Sequence, residues 1–319
     1  MDLVATPKNP IPLGASTGYL DVRKGVRLRY ASWQSVLRER RGTVCILPGR
    51  SEFIEKYFEV VGELRRRGFA VAVLDWRGQG GSSRLTRNPL KGHINDFAEY
   101  EEDLAHFMKG VVLPDCPTPY FALGHSMAAM VLFKAATKRG CWFTRMVMTS
   151  PMVRIMGLPM PERVCAQLAD GLTMFGLGKR AVPGDQTKYR WNQEFEGNPL
   201  TSDRERYMRN LSVLQAAPEL AVGAPTIGWV NAALDAIARL GNEQFPPRIR
   251  VPVLMLAARD DQIVSSKSIE ELAARLRAGS QLVLRGSRHE ILQERDSIRE
   301  QFWAAFDAFV PGMAMSKAS

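Results

Sequence analysis

The stretch from Tyr120 to Thr137 limits this chain's fold more than any other. A short apolar run, Tyr120-Phe-Ala-Leu123, leads into Gly124-His125-Ser126-Met127-Ala128, and a helical pattern with Met130, Leu132, Phe133 and Ala136 on one face follows at once. That order predicts a strand, a sharp turn and a helix, with a serine at the tip of the turn. A serine hydroxyl is a weak nucleophile and needs an exposed Oγ, a nearby base and an oxyanion site. The turn would lift Ser126 clear of the sheet. It would also set the backbone N–H of Met127 at a helix N-terminus, where negative charge is favoured. Small residues at 124 and 128 would let strand and helix approach closely. The same five residues also suit an ordinary strand-to-helix turn, so function needs further support.

The flanking sequence supplies a frame for that turn. Two strands are predicted around Gly18–Asp21 and Arg27–Ala31, separated by Lys24-Gly25. Thr43–Leu47 and Phe69–Leu74 are continuous apolar runs, as buried strands are. Helices are predicted over Phe53–Arg67 and Phe97–Lys109, and a strand over Arg145–Thr149. Beyond Pro151 the alternation stops. Residues 152–242 carry helical patterns, six prolines including Pro183, and no clear strand. Strands resume at Val251–Ala257 and Gln281–Leu284, with helices over Ser266–Leu276 and Asp296–Phe309. The expectation is an α/β fold with a mostly parallel sheet covered on both faces. Residues 1–151 and 243–319 would form the core, and 152–242 an inserted helical cap.

At 319 residues and 45% hydrophobic content the chain can bury a large core. No apolar run reaches membrane-spanning length, and residues 1–16, with Pro10 and Pro12, lack the apolar stretch of a secretory signal. Cys45, Cys116, Cys141 and Cys165 show no metal-binding spacing and read as thiols of a reducing compartment, so we expect a cytoplasmic protein with no metal or organic cofactor. The net charge of +10 suits peripheral contact with an anionic inner membrane face. Nucleic acid is not an expected partner, because no recognition motif accompanies the charge. Arg65-Arg66-Arg67 reads as a solvated helix face.

A base and an acid should follow the serine in the order Ser, Asp, His. Asp260 and Asp261 fall just after one predicted strand and His289 just after the next. Parallel strands bring such loops to one sheet edge, where sites in open α/β sheets lie. Of the other three histidines, His106 falls within a helix, His93 reads as ordering its loop, and His125 should point away from Ser126. The second oxyanion donor should come from the loop after an early strand. Pro48-Gly49-Arg50 fits, with the N–H of Arg50 as candidate.

On these pieces, together with Asp75-Trp-Arg-Gly-Gln-Gly-Gly-Ser82, Gly92-His-Ile-Asn-Asp-Phe97, Asp261-Gln-Ile-Val264 and His289-Glu-Ile-Leu292, the chain resembles an α/β-hydrolase of the monoacylglycerol lipase and bacterial lysophospholipase branch. The resemblance implies a triad of Ser126, Asp261 and His289, the aspartate being the one directly before Gln-Ile-Val. Two departures stand out. Pro48-Gly49 replaces the usual His-Gly, and Ala128 closes the elbow in place of glycine. The stretches Thr201–Asp203 and Gly223–Trp229 resemble the lysophospholipase side of the branch. The resemblance implies a serine ester hydrolase for single-chain lipids, most simply a lysophospholipase, with a monoacylglycerol lipase or a small-ester esterase as alternatives. A hydrolase-fold binding protein without activity is the reading from another class. A dinucleotide loop at Gly78–Gly81 is disfavoured, because no Gly-x-Gly-x-x-Gly opens a helix there. Met152, Ile155, Met156, Leu158, Leu172, Met174, Phe175 and Leu177 are expected to help build an acyl pocket, beside Arg154, Arg163, Lys179 and Arg180.

Overall fold

The computed structural model describes residues 2–182 and 194–310. Pro183, the rest of 183–193 and the end of the second core segment lie outside the described residues. An eight-stranded sheet runs in the order β1-β2-β4-β3-β5-β6-β7-β8. Its strands are β1 (Ala15–Arg23), β2 (Val26–Trp33), β3 (Thr43–Leu47), β4 (Ala70–Leu74), β5 (Tyr120–His125), β6 (Phe143–Thr149), β7 (Val253–Ala258) and β8 (Gly279–Leu284). The β1–β2 hairpin and the β2–β4 pairing are antiparallel; every pairing from β4 to β8 is parallel. This is the expected mostly parallel sheet. The hairpin turns at Gly25, whose φ of 80° suits glycine.

Helices cover both faces. They are α1 (Phe58–Arg66), α2 (Ala98–Phe107), α3 (Leu113–Asp115), α4 (Ala128–Ala136), α5 (Glu162–Met174), α6 (Arg204–Ala216), α7 (Ile227–Gly241), α8 (Ser266–Ala273) and α9 (Asp296–Phe309). Alternation along β3 sends Cys45 and Leu47 to one core layer with Leu104, Phe107, Leu132 and Ile269. Val44 and Ile46 enter the other, with Val60, Leu64, Phe302 and Phe306. Strands buried on both faces explain the continuous apolar runs. The helix predicted from Phe53 begins as a 3₁₀ turn, Ile54–Tyr57, before α1, and α2 passes through a π turn, Met108–Val112, into α3.

Between β6 and β7 the described residues hold α5, α6 and α7 and no strand of the sheet. Asp203 caps α6 by accepting from the Arg206 N–H, and Thr226 caps α7 by accepting from the Trp229 N–H. Backbone bonds from Gly92 to Ala224, Thr226 to Gly92 and Gly223 to Leu90 pin this insertion to the loop after β4. His93, read as ordering its own loop, bonds the Thr226 hydroxyl at 2.8 Å and so grips the start of α7. His106 sits in α2 and bonds the Glu102 carbonyl. The Arg65–Arg67 run is not a plain solvated face. Arg65 binds the Gln34 and Leu13 carbonyls, and Arg67 lies 3.9 Å over the Trp303 ring and pairs with Asp307; Arg66 is exposed.

The Gly-rich loop after β4 is a structural hub. Asp75 is fully buried, accepts from the Ile54 and Gly81 N–H groups at 2.9 and 2.7 Å, and pairs with Arg29, which also binds Glu55. Arg77 reaches the other way, to Asp103 and Glu102 of α2. Asp75 is therefore consumed by protein contacts and unavailable to a ribose. Gly80 has φ of 53°, and a Cβ there would lie 2.2 Å from Asp75 Cγ. Gly80→Ala should destabilise the protein by about 2 kcal/mol or more, through strain plus displacement of a locked carboxylate. Urea unfolding measures this, and a wild-type midpoint would contradict it.

Candidate active site

The parallel strands deliver three separated sequence pieces to one edge. Ser126 follows β5 at φ of 49°, a left-handed conformation rarely adopted by non-glycine residues. Close packing sustains it: a Cβ on Gly124 would sit 2.5 Å from Leu132 Cδ1 of α4. The turn is bonded on both sides, Ser126 N–H to the Thr149 carbonyl and Met152 N–H to the Ser126 carbonyl. His289, after β8, sets Nε2 3.0 Å from Ser126 Oγ. Asp261, after β7, sets Oδ2 2.8 Å from His289 Nδ1. Ser150, with φ of 44°, donates its hydroxyl to the His289 carbonyl at 2.7 Å and so holds the backbone of His289.

Asp261 and Asp260 are separated by the loop's direction. Asp261 has a fully buried side chain, and its Oδ1 accepts from the N–H groups of Ile263 and Val264 at 2.8 and 3.0 Å. Burial raises its affinity for a proton, but the bond and charge of His289 and these two amides outweigh it. The carboxyl titrates below its ordinary value. Asp260 faces solvent.

Met127 stands at the N-cap position of α4 without a side-chain capping bond, and Arg50 follows β3 in a loop facing the same cavity as Ser126. The Arg50 side chain lies 5.2 Å over the buried Trp229 ring and bonds the Gly223 carbonyl. His125 is held by Thr149 and its ring lies 4.9 Å from that of His289. It thus packs beside the His289 ring, a contact the sequence did not reveal. Burial holds the His125 imidazole below its ordinary value; Glu52 and Glu290 oppose this and His289 adds to it.

A buried charge cluster underlies the site. Lys56 Nζ bridges Glu52 at 2.8 Å and Glu290 at 2.6 Å, joining the loop after β3 to the loop that carries His289. Glu52 also accepts from Tyr57 and from the Gly49 N–H. The i,i+4 pair Glu52/Lys56 was visible in the sequence, but nothing there marked it as buried.

Ser126 and His289 open into a cavity of 290 Å³. Of the eight apolar residues expected to build it, Met152 and Ile155 do so. Leu172, Met174 and Phe175, at the end of α5, are exposed instead, and so is Met156, which precedes that helix. The insertion's wall comes from α6, α7 and their flanks: Leu200, Leu211, Leu214, Val222 and Trp229. The basic residues Arg154, Arg163, Lys179 and Arg180 are exposed near the outward face. Cys45, Cys116, Cys141 and Cys165 are free thiols. No helix among the described residues is long and apolar enough to cross a membrane.

A hydroxyl, imidazole and carboxylate in this line can activate a serine for attack on a carbonyl. The profile of the serine aminopeptidase, S33, family matches residues 38–296. The chain belongs to this family. It is 30% identical to lysophospholipase L2 of Escherichia coli strain K12 over 289 residues, 86% of this chain and 81% of that one. It is 27% identical to a probable lysophospholipase L2 of Haemophilus influenzae over 295 residues, 92% and 91% of the two chains. A monoglyceride lipase of Saccharomyces cerevisiae, solved with a substrate analogue, superposes with a TM-score of 0.73 at 18% identity over 94% of this chain and 97% of that one. As a member of the family the protein is an α/β-hydrolase-fold serine hydrolase.

The charge cluster predicts an acid response. Burial pushes the Glu52 carboxyl up, but the Lys56 charge, with lesser help from His125 and the Lys56 and Tyr57 hydrogen bonds, brings it down to about 2. A carboxyl depressed in the folded state stabilises above its unfolded value, and this is lost as pH falls through the folded value. The Tm advantage of wild type over Glu52→Gln should therefore be full near neutrality and shrink between about pH 4.5 and about pH 2. A pH-independent Tm difference would contradict this.

Proposed function

We propose that the protein is a lysophospholipase that releases the fatty acid from single-chain phospholipids through an acyl-enzyme. The observation that carries this is the hydrogen-bonded line Asp261–His289–Ser126 opening into one apolar cavity. In this reading His289 takes the Ser126 proton as Oγ attacks the ester carbonyl, and Asp261 orients and stabilises the imidazolium. The N–H groups of Arg50 and Met127 hold the oxyanion. The proton passes to the departing glycerophospho alcohol. Water, deprotonated by His289, then frees the acid from Ser126.

The substrate class follows from the cavity. A volume of 290 Å³ is near the low end for ligand sites, about 300–1,000 Å³, and suits one acyl chain better than three. Two lysophospholipase L2 relatives match across most of the chain, which favours a phospho head group. A monoacylglycerol lipase of Mycolicibacterium smegmatis, 30% identical over 169 residues, 50% of this chain and 57% of that one, supports a second reading, monoacylglycerol.

Residues 152–242 act in this reading as a cap that excludes water and supplies the acyl wall. Its outer face is suited to an anionic membrane surface. Val164, Leu168 and Leu172 line one side of α5 at four-residue spacing, Met174 and Phe175 are 80% and 85% exposed, and four basic residues lie nearby.

Ser126→Ala should lower kcat by roughly 10⁴-fold or more with the fold intact. Asp261→Asn should cost on the order of 10⁴-fold by leaving His289 in the wrong tautomer, while Asp260→Asn stays near wild type. The reverse order would exchange the two aspartates. Along an acyl series from acetyl to palmitoyl, each buried methylene should add up to about 0.8 kcal/mol to kcat/KM selectivity until the cavity fills. Lysophospholipids should exceed monoacylglycerols and short p-nitrophenyl esters. A steady fall beyond butyryl would leave a small-ester hydrolase.

A further inference from the structure

Gln79 lies in the Gly-rich loop after β4, is 3% exposed, and is not part of the proposed triad. Its Nε2 donates to the Gly49 carbonyl at 2.7 Å, and its Oε1 accepts from the Ser51 N–H at 3.3 Å. One amide thus grips the backbone on both sides of Arg50. A single orientation of that amide satisfies both contacts, since a carbonyl needs a donor and an N–H an acceptor. Two further bonds complete the clamp: the Trp76 indole donates to the Pro48 carbonyl at 2.8 Å, and the Gly49 N–H donates to Glu52.

This grip fixes a direction. In a planar trans peptide the C=O and the next N–H point opposite ways. Holding the Gly49 carbonyl toward Gln79 turns the Arg50 N–H away from Gln79. The loop also contains Ser51 at φ of 61°, a left-handed conformation that a non-glycine residue holds only when its surroundings restrain it. Such a loop needs external restraint. Rotation of the Gly49–Arg50 peptide would exchange its N–H for a carbonyl oxygen and repel a developing oxyanion.

We propose that Gln79 is a positioning residue for the oxyanion site: its side-chain amide locks the Gly49–Arg50 peptide with the Arg50 N–H turned toward the reacting carbonyl. This rests on the reading of Ser126 as nucleophile and Arg50 as a donor. Gln79 touches no reacting atom and acts through the backbone. The whole Asp75–Ser82 motif then divides its labour, Asp75 anchoring the Ile54 turn, Arg77 anchoring α2, and Gln79 aiming the peptide between them.

The test uses Gln79→Met, which keeps size but loses both bonds, and Gln79→Glu, which keeps shape. Each is assayed on a long-chain ester for kcat and KM. Each is also assayed for inhibition by an alkyl trifluoromethyl ketone, whose serine adduct carries an oxyanion, and for binding of an ether analogue, which forms none. We expect kcat to fall about 10²-fold in Gln79→Met, as when one oxyanion donor is lost, with KM within about twofold. Affinity for the ketone should fall by a similar factor and that for the ether stay unchanged. In Gln79→Glu the ionised carboxylate offers no donor, whereas its protonated form regains one. Gln79→Glu should therefore recover kcat relative to wild type as pH is lowered from about 8 to about 5. Wild-type kcat and ketone affinity in both variants would overturn the proposal, as would equal losses for ketone and ether. If Ser126→Ala retains turnover, the underlying reading fails instead. If Ser126→Ala is inactive and Gln79→Met is not, this inference alone fails.

Discussion

The backbone at the tip of β5 is the constraint on which the rest of the structure depends. Ser126 at φ of 49° stores strain that a free peptide would release by moving the hydroxyl away. It persists because Gly124 lets α4 close onto the strand and because both backbone groups of Ser126 are bonded to neighbouring segments. Among the described residues the other left-handed non-glycine positions are Ser51 and Ser150, after β3 and β6. Ser51 and Ser126 line one cavity at the sheet edge, and Ser150 bonds the backbone of His289, which lines it too. The core layers on both faces of the sheet over-determine these positions, and stability in the interior is in this sense converted into geometry at the edge.

Charge does the remaining positioning. The Asp75–Arg29–Glu55 group ties the loop after β4 to the turn after β3, and Lys56 ties that turn to the loop of His289. Each buried ion has a partner of opposite sign, so breaking one pair would strand a charge. Such clusters add little net stability over an apolar core. Their effect is to set loop relative to loop.

The core strands, the elbow and the order of serine, aspartate and histidine were legible because each depends on local pattern: continuous apolar runs, Gly124 and Ala128 about the turn, a loop just after a strand. The contacts of Gln79, Ser150 and His125, and that of Lys56 with Glu290, were not, since they join residues far apart in sequence whose types are ordinary on a surface. The insertion was read as helical from its pattern. Its lining was read correctly at Met152 and Ile155 and misassigned at Met156, Leu172, Met174 and Phe175, because apolar content does not say which way a segment faces. Met174 and Phe175 point outward, while Leu211 and Leu214 of a more polar helix point inward. The arginine run at 65–67 was misread for a similar reason. Long side chains bury their stems on partners such as Trp303 that no local window contains.

Covalent capture asks whether one nucleophile is activated by one histidine. Purified protein is treated with a long-chain alkyl fluorophosphonate, and the adduct is located by intact mass and peptide mapping. One adduct per chain is expected, on Ser126, formed at a rate that collapses in His289→Ala. An adduct on another residue, or labelling of Ser126 at an unchanged rate without His289, would contradict this mechanism.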